Sequence, residues 1–352
     1  MKTIAFVTDT WSEKDVNGVV RWLRVMSREL TTRGYRVIII HPGMFPHFSW
    51  PTDPDNVKFS FCTRTKLRDI ISHEKPDHIH IVTESTLGFS ALRLCQRHGW
   101  TFSTFYHTRS PEYLRKRFYI PEVLPYVYLR WFHNQSSWTA VGTPSIAHIL
   151  ENKGFRNLVT IPLGIDQELF TRNDHVDIAT TVAAGLTKPI FTYLGRLAPE
   201  KNLEAFLDCD LPGSKLVIGS GPSRKSLGKK YGNGKTGQAI QFVGHKHSRE
   251  IVDLLSVSDV LVFPSHTDTF GMTIVEALAC GVPVAAYDVP GPRDIITSGK
   301  DGYLSDDLRA SALKCLDLKS EDCIAKAREY SWAKAAELFI EHLSKTILPD
   351  HE

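Results

Sequence analysis

No stretch of this 352-residue sequence approaches the roughly 20 consecutive apolar residues that a membrane-spanning helix needs. The N-terminal "MKTIAFVTDTWSEKD" has an apolar run too short for a signal peptide. A dominant charge is also missing. The 42 Lys and Arg against 39 Asp and Glu leave a formal net charge of +3, too little to argue for a nucleic-acid partner. The six cysteines (Cys62, Cys95, Cys209, Cys280, Cys315, Cys323) form no C-x-x-C pair and keep no regular spacing. They read as buried, reduced thiols rather than a disulfide framework. There is no repeat of fixed period and no low-complexity tract. These absences lead us to expect a soluble cytoplasmic protein, or at most one lying on a membrane surface.

What is present is ordinary globular material, 42% hydrophobic and 23% charged. The length suits two α/β domains better than one, because single cores stop growing near roughly 250 to 300 residues. "KTIAFVTD" reads as a buried strand. After it, Val19, Leu23, Met26 and Leu30 fall at helical spacing, Gly34 supplies a stop, and "RVIIIHP" is the next strand. That is a βαβ unit, which implies a parallel sheet with a right-handed crossover. Short apolar runs continue with "VKFSF", "HIHIVTE", "TFSTFYHT" and "WTAVGTP", separated by helical stretches such as "GFSALRLCQRHG".

A turn-rich segment then breaks the rhythm, and a second alternation starts at "PIFTYLGR". We therefore expect an N-terminal doubly wound domain over 1–165, a linker over 166–187 and a second doubly wound domain over 188–330. A C-terminal helix over 331–352, capped by Ser331, is expected to pack back toward the N-terminal domain. Ligands of such sheets bind beyond the carboxyl ends of the strands, so the loops there are the ones to read.

"GRLAPEKN" follows the strand "PIFTYL" and carries Arg196 and Lys201 beside Gly195. A forked guanidinium and a compact ammonium near a glycine turn suit a diphosphate, and a solvated loop fits equally. Residues 263–286, "FPSHTDTFGMTIVEALACGVPVAA", place Asp268 just before a helix that starts near Phe270 or Gly271, and Glu276 within it. A helix N-terminus can hold an anion through unpaired N–H groups. Asp268 is either an N-cap or a ligand contact. Glu276, among apolar neighbours, needs either a buried cation or ligand hydroxyls such as a ribose diol. Gly18 opens a helix after the first strand, as an anion-tolerant site or a plain turn. His107 directly follows a buried strand, as a site residue or a structural one. Gly219 and Gly221 do not complete a dinucleotide fingerprint.

Taken in order along essentially the whole chain, "VNGVV", "YHTRSPEYL", "PLGID", "YLGRLAPEKN", "VIGSGPSR", "FVGH" and the 263–286 stretch resemble the GT-B-fold retaining glycosyltransferases of family 4. Within that family the sequence looks closest to hexosyl- and mannosyltransferases. The resemblance implies an α/β fold of two Rossmann-like domains facing across a cleft that closes over the donor. It also implies transfer of a hexose from a nucleotide sugar, GDP-mannose first and UDP-hexoses next, to a glycan, lipid or other hydroxyl acceptor.

Arg196 and Lys201 would hold the donor diphosphate, with the amides of Phe270, Gly271 and Met272 facing the distal phosphate or sugar. Gly18 would approach the phosphates from the other domain, and His107 would sit beside the transferred sugar. Val243 and Gly244 would border the nucleobase, and Glu276 would take the ribose hydroxyls. Asp268 stands where the family's E-x7-E pair normally has glutamate, which bears on sugar choice.

No D-x-D pair has a metal-binding context, so neither an obligatory metal nor another cofactor is expected. The basic and aromatic run "SPEYLRKRFYIPEVLPYVYLRWFH" suits either an anionic membrane surface or a helix pair with an aromatic core. "SRKSLGKKYGNGKTG" reads as a solvated loop rather than a nucleic-acid site, though a modified nucleobase stays open as an acceptor. A non-catalytic nucleotide-sugar-binding module and a sugar-nucleotide epimerase are the alternative functions.

Overall fold

A computed structural model describes residues 1–11, 17–49, 58–61, 64–232, 237 and 239–343. The chain divides into two compact units. The first holds Met1–Pro111, Ile120–Leu163 and the stretch from Trp332 onward; the second holds Glu112–Tyr119 and Gly164–Ser331.

The first unit runs β1 (Thr3–Val7), α1 (Gly18–Thr32), β2 (Arg36–Ile40), β3 (His47–Ser49), β4 (Lys58–Ser60), α2 (Arg64–Glu74), β5 (His78–Ile81), α3 (Thr86–His98) and β6 (Phe102–Phe105). After α4 (Ser110–Phe118), most of which belongs to the second unit, come α5 (Val123–His133), β7 (Thr139–Val141), α6 (Pro144–Asn152) and β8 (Leu158–Thr160). Among the described residues, six strands pair in parallel in the order β2-β1-β5-β6-β7-β8. β1 is buried along its whole length, as a strand covered on both faces must be.

α1 turns Val20, Trp22, Leu23, Met26 and Leu30 inward, and the Asn17 side chain caps it by accepting from the amide of Val20 at 2.9 Å. The run "VKFSF" departs from expectation. Val57 lies outside the described residues, and β4 pairs antiparallel with β3 instead of joining the parallel sheet. Lys58 and Ser60 interrupt the apolar run that a doubly covered strand requires.

The second unit continues with β9 (Ile190–Leu194), α7 (Leu203–Leu207), β10 (Ser214–Ile218), α8 (Arg224–Tyr231), β11 (Ala239–Gly244), α9 (Ser248–Ser256), β12 (Val260–Phe263), α10 (Met272–Ala279), β13 (Val284–Ala286), α11 (Pro292–Ile295), β14 (Gly302–Leu304), α12 (Leu308–Cys315) and α13 (Ser320–Ala327). Its described strands are again parallel, in the order β11-β10-β9-β12-β13-β14. The winding reverses between β9 and β12, which is the topological switch point where such sheets take ligands. Phe191, Tyr193, Phe206, Val217 and Val262 anchor the core under it. Lys215, buried in β10, donates to the carbonyls of Leu207 at 2.7 Å and Cys209 at 2.5 Å, closing the C-terminal end of α7.

The last described helix, α14 (Trp332–Leu343), belongs to the first unit. Its Phe339 packs against Phe6, His80 and Trp138 with ring centres 5.0–5.9 Å apart. Five cysteines are free thiols, four of them buried, and Cys62 lies outside the described residues. Burial pushes the thiols of Cys95, Cys280, Cys315 and Cys323 up to about 12, which keeps them protonated and unreactive. Among the described residues no helix is long and apolar enough to cross a membrane.

Candidate functional site

The switch point brings two loops side by side. β9 ends at Leu194 and is followed by Gly195, whose φ of +151° suits glycine. The hydroxyl of Tyr193 donates to the carbonyl of Arg196 at 2.8 Å, and Pro199–Lys201 form one tight turn that stops at Asn202, left-handed at φ 53°. The loop after β12 leads into α10. Two hydrogen bonds of 3.2 Å tie the loops together: Asn202 Nδ2 to the carbonyl of Pro264, and the hydroxyl of Thr267 to the carbonyl of Glu200. The ends of β9 and β12 therefore behave as one rigid rim.

On that rim the charged groups pair. Lys201 Nζ donates to Asp268 Oδ1 at 2.5 Å. Burial works against the charge on Lys201, but Asp268 outweighs it and holds the ammonium's pKa above its ordinary value. Asp268 Oδ2 is buried and has no hydrogen-bond partner among the described residues. Asp268 is thus not the N-cap of α10. Gly271 holds that position, at φ +97°, and being glycine makes no side-chain cap hydrogen bond. Glu276 lies midway along α10, only 5% exposed, among the buried Ile274, Val275, Ala277 and Leu278.

Sequence reasoning missed three members of the cluster. Glu200, whose side chain is fully buried, accepts from Arg196 at 2.6 Å on Oε1. Arg117 of α4 forks onto the same carboxylate, donating from Nε to Oε2 at 3.1 Å and from a terminal nitrogen to Oε1. Burial would push the Glu200 carboxyl up, but the hydrogen bond from Arg117, one from its own backbone amide and the charges of Arg117 and Arg196 outweigh it and hold it at about 2. The Tyr113 ring stands between the pairs, 5.6 Å from the Arg117 guanidinium and 5.9 Å from Lys201 Nζ. The signals in the sequence were the Glu beside Lys201 in "PEKN" and Tyr113 near the end of "YHTRSPEYL"; nothing tied Arg117 to Glu200.

The glycine pair after β10 is a packing device. A Cβ on Gly219 would lie 1.9 Å from the carbonyl oxygen of Gly195, and one on Gly221 would lie 2.4 Å from that of Leu197. Only bare backbone lets this loop lie against the Arg196 loop. The amide of Gly219 also donates to the carbonyl of Gly244 at 2.8 Å, which fixes the end of β11 with Val243 and Gly244.

In the first unit Gly18 opens α1, exposed, with nothing among the described residues within 4 Å of where a Cβ would stand. His107 follows β6, stacked on Phe105 at 3.9 Å and edge-on to Trp22 at 5.1 Å. Burial, reinforced by His133, pushes its pKa down to about 3, so the imidazole is neutral at pH 7. The basic and aromatic run divides. Tyr126 and Phe132 are core, whereas Val123, Leu124, Val127, Tyr128 and Trp131 stay exposed on α5. In "SRKSLGKKYGNGKTG", Arg224–Tyr231 form α8, and residues 233–236 and 238 lie outside the described residues.

Comparison with known proteins follows the same division of the chain. Residues 16–169 match the family model described as Glycosyltransferase Family 4, and residues 180–318 match Glycosyl transferases group 1. The chain is 27% identical over 331 residues to sulfoquinovosyl transferase SQD2 of Arabidopsis thaliana, covering 88% of this chain but 61% of that protein, about three fifths of its length. A GDP-mannose-dependent alpha-mannosyltransferase of Mycolicibacterium smegmatis is 24% identical over 340 residues, covering 91% of this chain and 88% of the relative. Among solved structures, sucrose-phosphate synthase from Thermosynechococcus elongatus aligns with a TM-score of 0.78 at 18% identity, over 98% of this chain and 99% of that one. HepE of Anabaena, solved with UDP and glucose, aligns at 0.72 and 14% identity, over 98% of this chain and all of that one (100%). With a family 4 domain followed by a group 1 domain, each doubly wound, the chain belongs to the GT-B-fold glycosyltransferases.

Proposed function

We propose that the protein is a retaining glycosyltransferase that moves a hexose, mannose first, from a nucleotide sugar to a hydroxyl of a glycan or lipid-linked acceptor. One observation carries the reading. Lys201, Arg196, Asp268 and the N-terminal end of α10 share the rim at the switch point of the second sheet, where a doubly wound fold takes an anionic nucleotide.

The chemistry follows from charge. A donor diphosphate would draw on Lys201 and Arg196 and on the amides of Phe270, Gly271 and Met272, which stabilise the negative charge that grows on the leaving group. Asp268 Oδ2, buried and unpartnered among the described residues, suits a sugar hydroxyl. Glu276 suits the ribose, and Val243 with Gly244 the base. In the first unit the roles proposed are the Gly18 amide for phosphate and the neutral His107 imidazole beside the sugar. With two cations on the phosphates, the reading needs neither an obligatory metal nor another cofactor. The GDP-mannose-dependent relatives favour that donor, and UDP-hexoses stand next to it. The exposed apolar face of α5 fits peripheral contact with an anionic membrane that presents the acceptor.

The test is a thermal-shift panel of GDP-, UDP-, ADP- and dTDP-sugars, followed by turnover with the donor that binds. At about a hundredfold its dissociation constant, that donor should stabilise the fold by roughly 2.7 kcal/mol. Arg196→Met and Lys201→Met should each lower kcat by about a hundredfold or more. Turnover should survive EDTA, and the product anomer, read by proton NMR, should match the donor. Binding without transfer to any acceptor would leave a nucleotide-sugar-binding module instead.

A further inference from the structure

Arg117 is the residue no assignment covers. It comes from α4, outside every loop of the nucleotide-binding sheet, yet its fork takes both oxygens of a carboxylate that Arg196 also holds. Arg117, Glu200 and Arg196 all belong to the second unit. A buried carboxylate cannot stay ionised without donors, and Glu200 has no exposed surface from which water could serve it. Two guanidiniums compete for it. Arg117 covers both oxygens, so Arg196 is left to reach Oε1 through a terminal nitrogen. With Arg117 removed, the Arg196 guanidinium would be pulled fully onto Glu200, because bidentate pairing is the strongest arrangement open to a desolvated carboxylate and a guanidinium. A guanidinium spent that way is lost to any other anion.

We propose that Arg117 is a positioning residue: by satisfying Glu200 it keeps Arg196 available to the diphosphate of the donor. The inference rests on the donor-binding reading above and names how that site is set. Tyr113, also on α4, has the Arg117 guanidinium 5.6 Å and Lys201 Nζ 5.9 Å from its ring, which sets α4 against the Lys201 loop. Arg117 itself touches no substrate. Glu200 is the element that makes its loss harmful, and this separates the proposal from a plain packing role.

The experiment is calorimetric titration of the full chain with UDP and GDP, and with UMP and GMP as probes that lack the second phosphate. Arg117→Met should weaken the diphosphate that wild type binds by about tenfold, while changing its monophosphate by less than about twofold. Arg117→Lys restores the charge without the fork and should fall between. The double variant Arg117→Met with Glu200→Gln should recover most of the loss, because a neutral amide no longer captures Arg196. Acidification should also recover it in Arg117→Met alone, relative to wild type, as Glu200 takes a proton. Equal losses for diphosphate and monophosphate, or a double variant worse than the single, would overturn the proposal. So would unchanged diphosphate binding in Arg117→Met. If wild type binds none of the four nucleotides, the donor-binding reading fails first and takes this one with it.

Discussion

Lys201 and Asp268, 67 residues apart in the chain, meet at 2.5 Å on the rim where β9 and β12 end. The pair joins the residue proposed for the phosphate with the residue proposed for the sugar, so the two proposed contacts would be coupled before any donor arrives. Asp268→Asn separates them. Lys201 loses its counter-ion and becomes a better phosphate partner, so binding of UDP or GDP alone should hold or tighten by a few-fold. The sugar loses a charged acceptor, so kcat should fall by about a hundredfold. Titration calorimetry and initial rates on the same protein read the two effects. A parallel loss in both would mean that Asp268 serves only to hold Lys201 in place.

The backbone contact between Gly219 and Gly195 sets a second expectation. A methyl group at Gly219 would overlap the Gly195 carbonyl at 1.9 Å, in a residue whose φ is +139°. Neither atom is a flexible side-chain tip, so the two loops must part. Gly219→Ala should cost about 3 kcal/mol and lower Tm by roughly 6 to 12 °C. Gly18→Ala is the contrast, since its Cβ meets nothing within 4 Å among the described residues. That variant should stay within about 0.5 kcal/mol of wild type in stability. A fall in turnover with Tm unchanged would then report on its proposed phosphate contact alone.

Such contrasts also explain what was legible from sequence. Strands such as β1 and β9 announce themselves because a doubly covered parallel strand must be apolar throughout, and helix ends because Gly34 and Gly99 adopt φ of +85° and +67°. Arg196, Lys201 and Asp268 stood out because charge at a strand end is unusual. The role of Asp268 did not follow, since an N-cap and a ligand contact differ by where the helix begins, a matter of one or two residues. β4 looked like its neighbours because three residues carry too little pattern to tell a ribbon from a sheet. Arg117 was illegible for a deeper reason. It lies 83 residues from Glu200, and only the folded chain reveals that its charge answers a buried acid rather than solvent.

Acid should unfold the first unit through its histidines. His78 and His80 both sit on the Ser103 hydroxyl at 2.7 Å, inside a cage of Phe6, Trp22, Trp138 and Phe339. Burial pushes His78 and His107 down to about 3 and holds His80 well below its ordinary value, the last reinforced by charge on His78 and His107. Between pH 6.5 and 3 the unfolded chain binds protons that the folded one refuses, so stability present above pH 6.5 is lost steadily as pH falls. Asp9 works the other way. Burial raises it to about 6 against its hydrogen bonds, so it favours the folded state as pH drops toward 4. Three histidines against one aspartate leave a net loss, and Tm should fall by several degrees or more from pH 7 to pH 5. His80→Leu removes one proton acceptor and should flatten that slope; a slope unchanged in the variant would point to other groups.

Glu276 offers the sharpest check on the nucleotide reading, because its proposed partner can be deleted from the ligand. A carboxylate buried to 5% exposure in the apolar helix α10 suits a pair of ribose hydroxyls, each donating a charge-assisted hydrogen bond. Wild type should therefore bind the 2′-deoxy form of its nucleoside diphosphate about tenfold more weakly than the ribo form. In Glu276→Gln the amide keeps the shape but gives up the charge, so the ribo form should weaken and the deoxy form should hardly change. The discrimination then shrinks toward unity. If Glu276→Gln weakens both nucleotides equally, the acid serves the fold rather than the sugar. In that case Tm should drop alongside affinity, a combination the ribose contact does not predict.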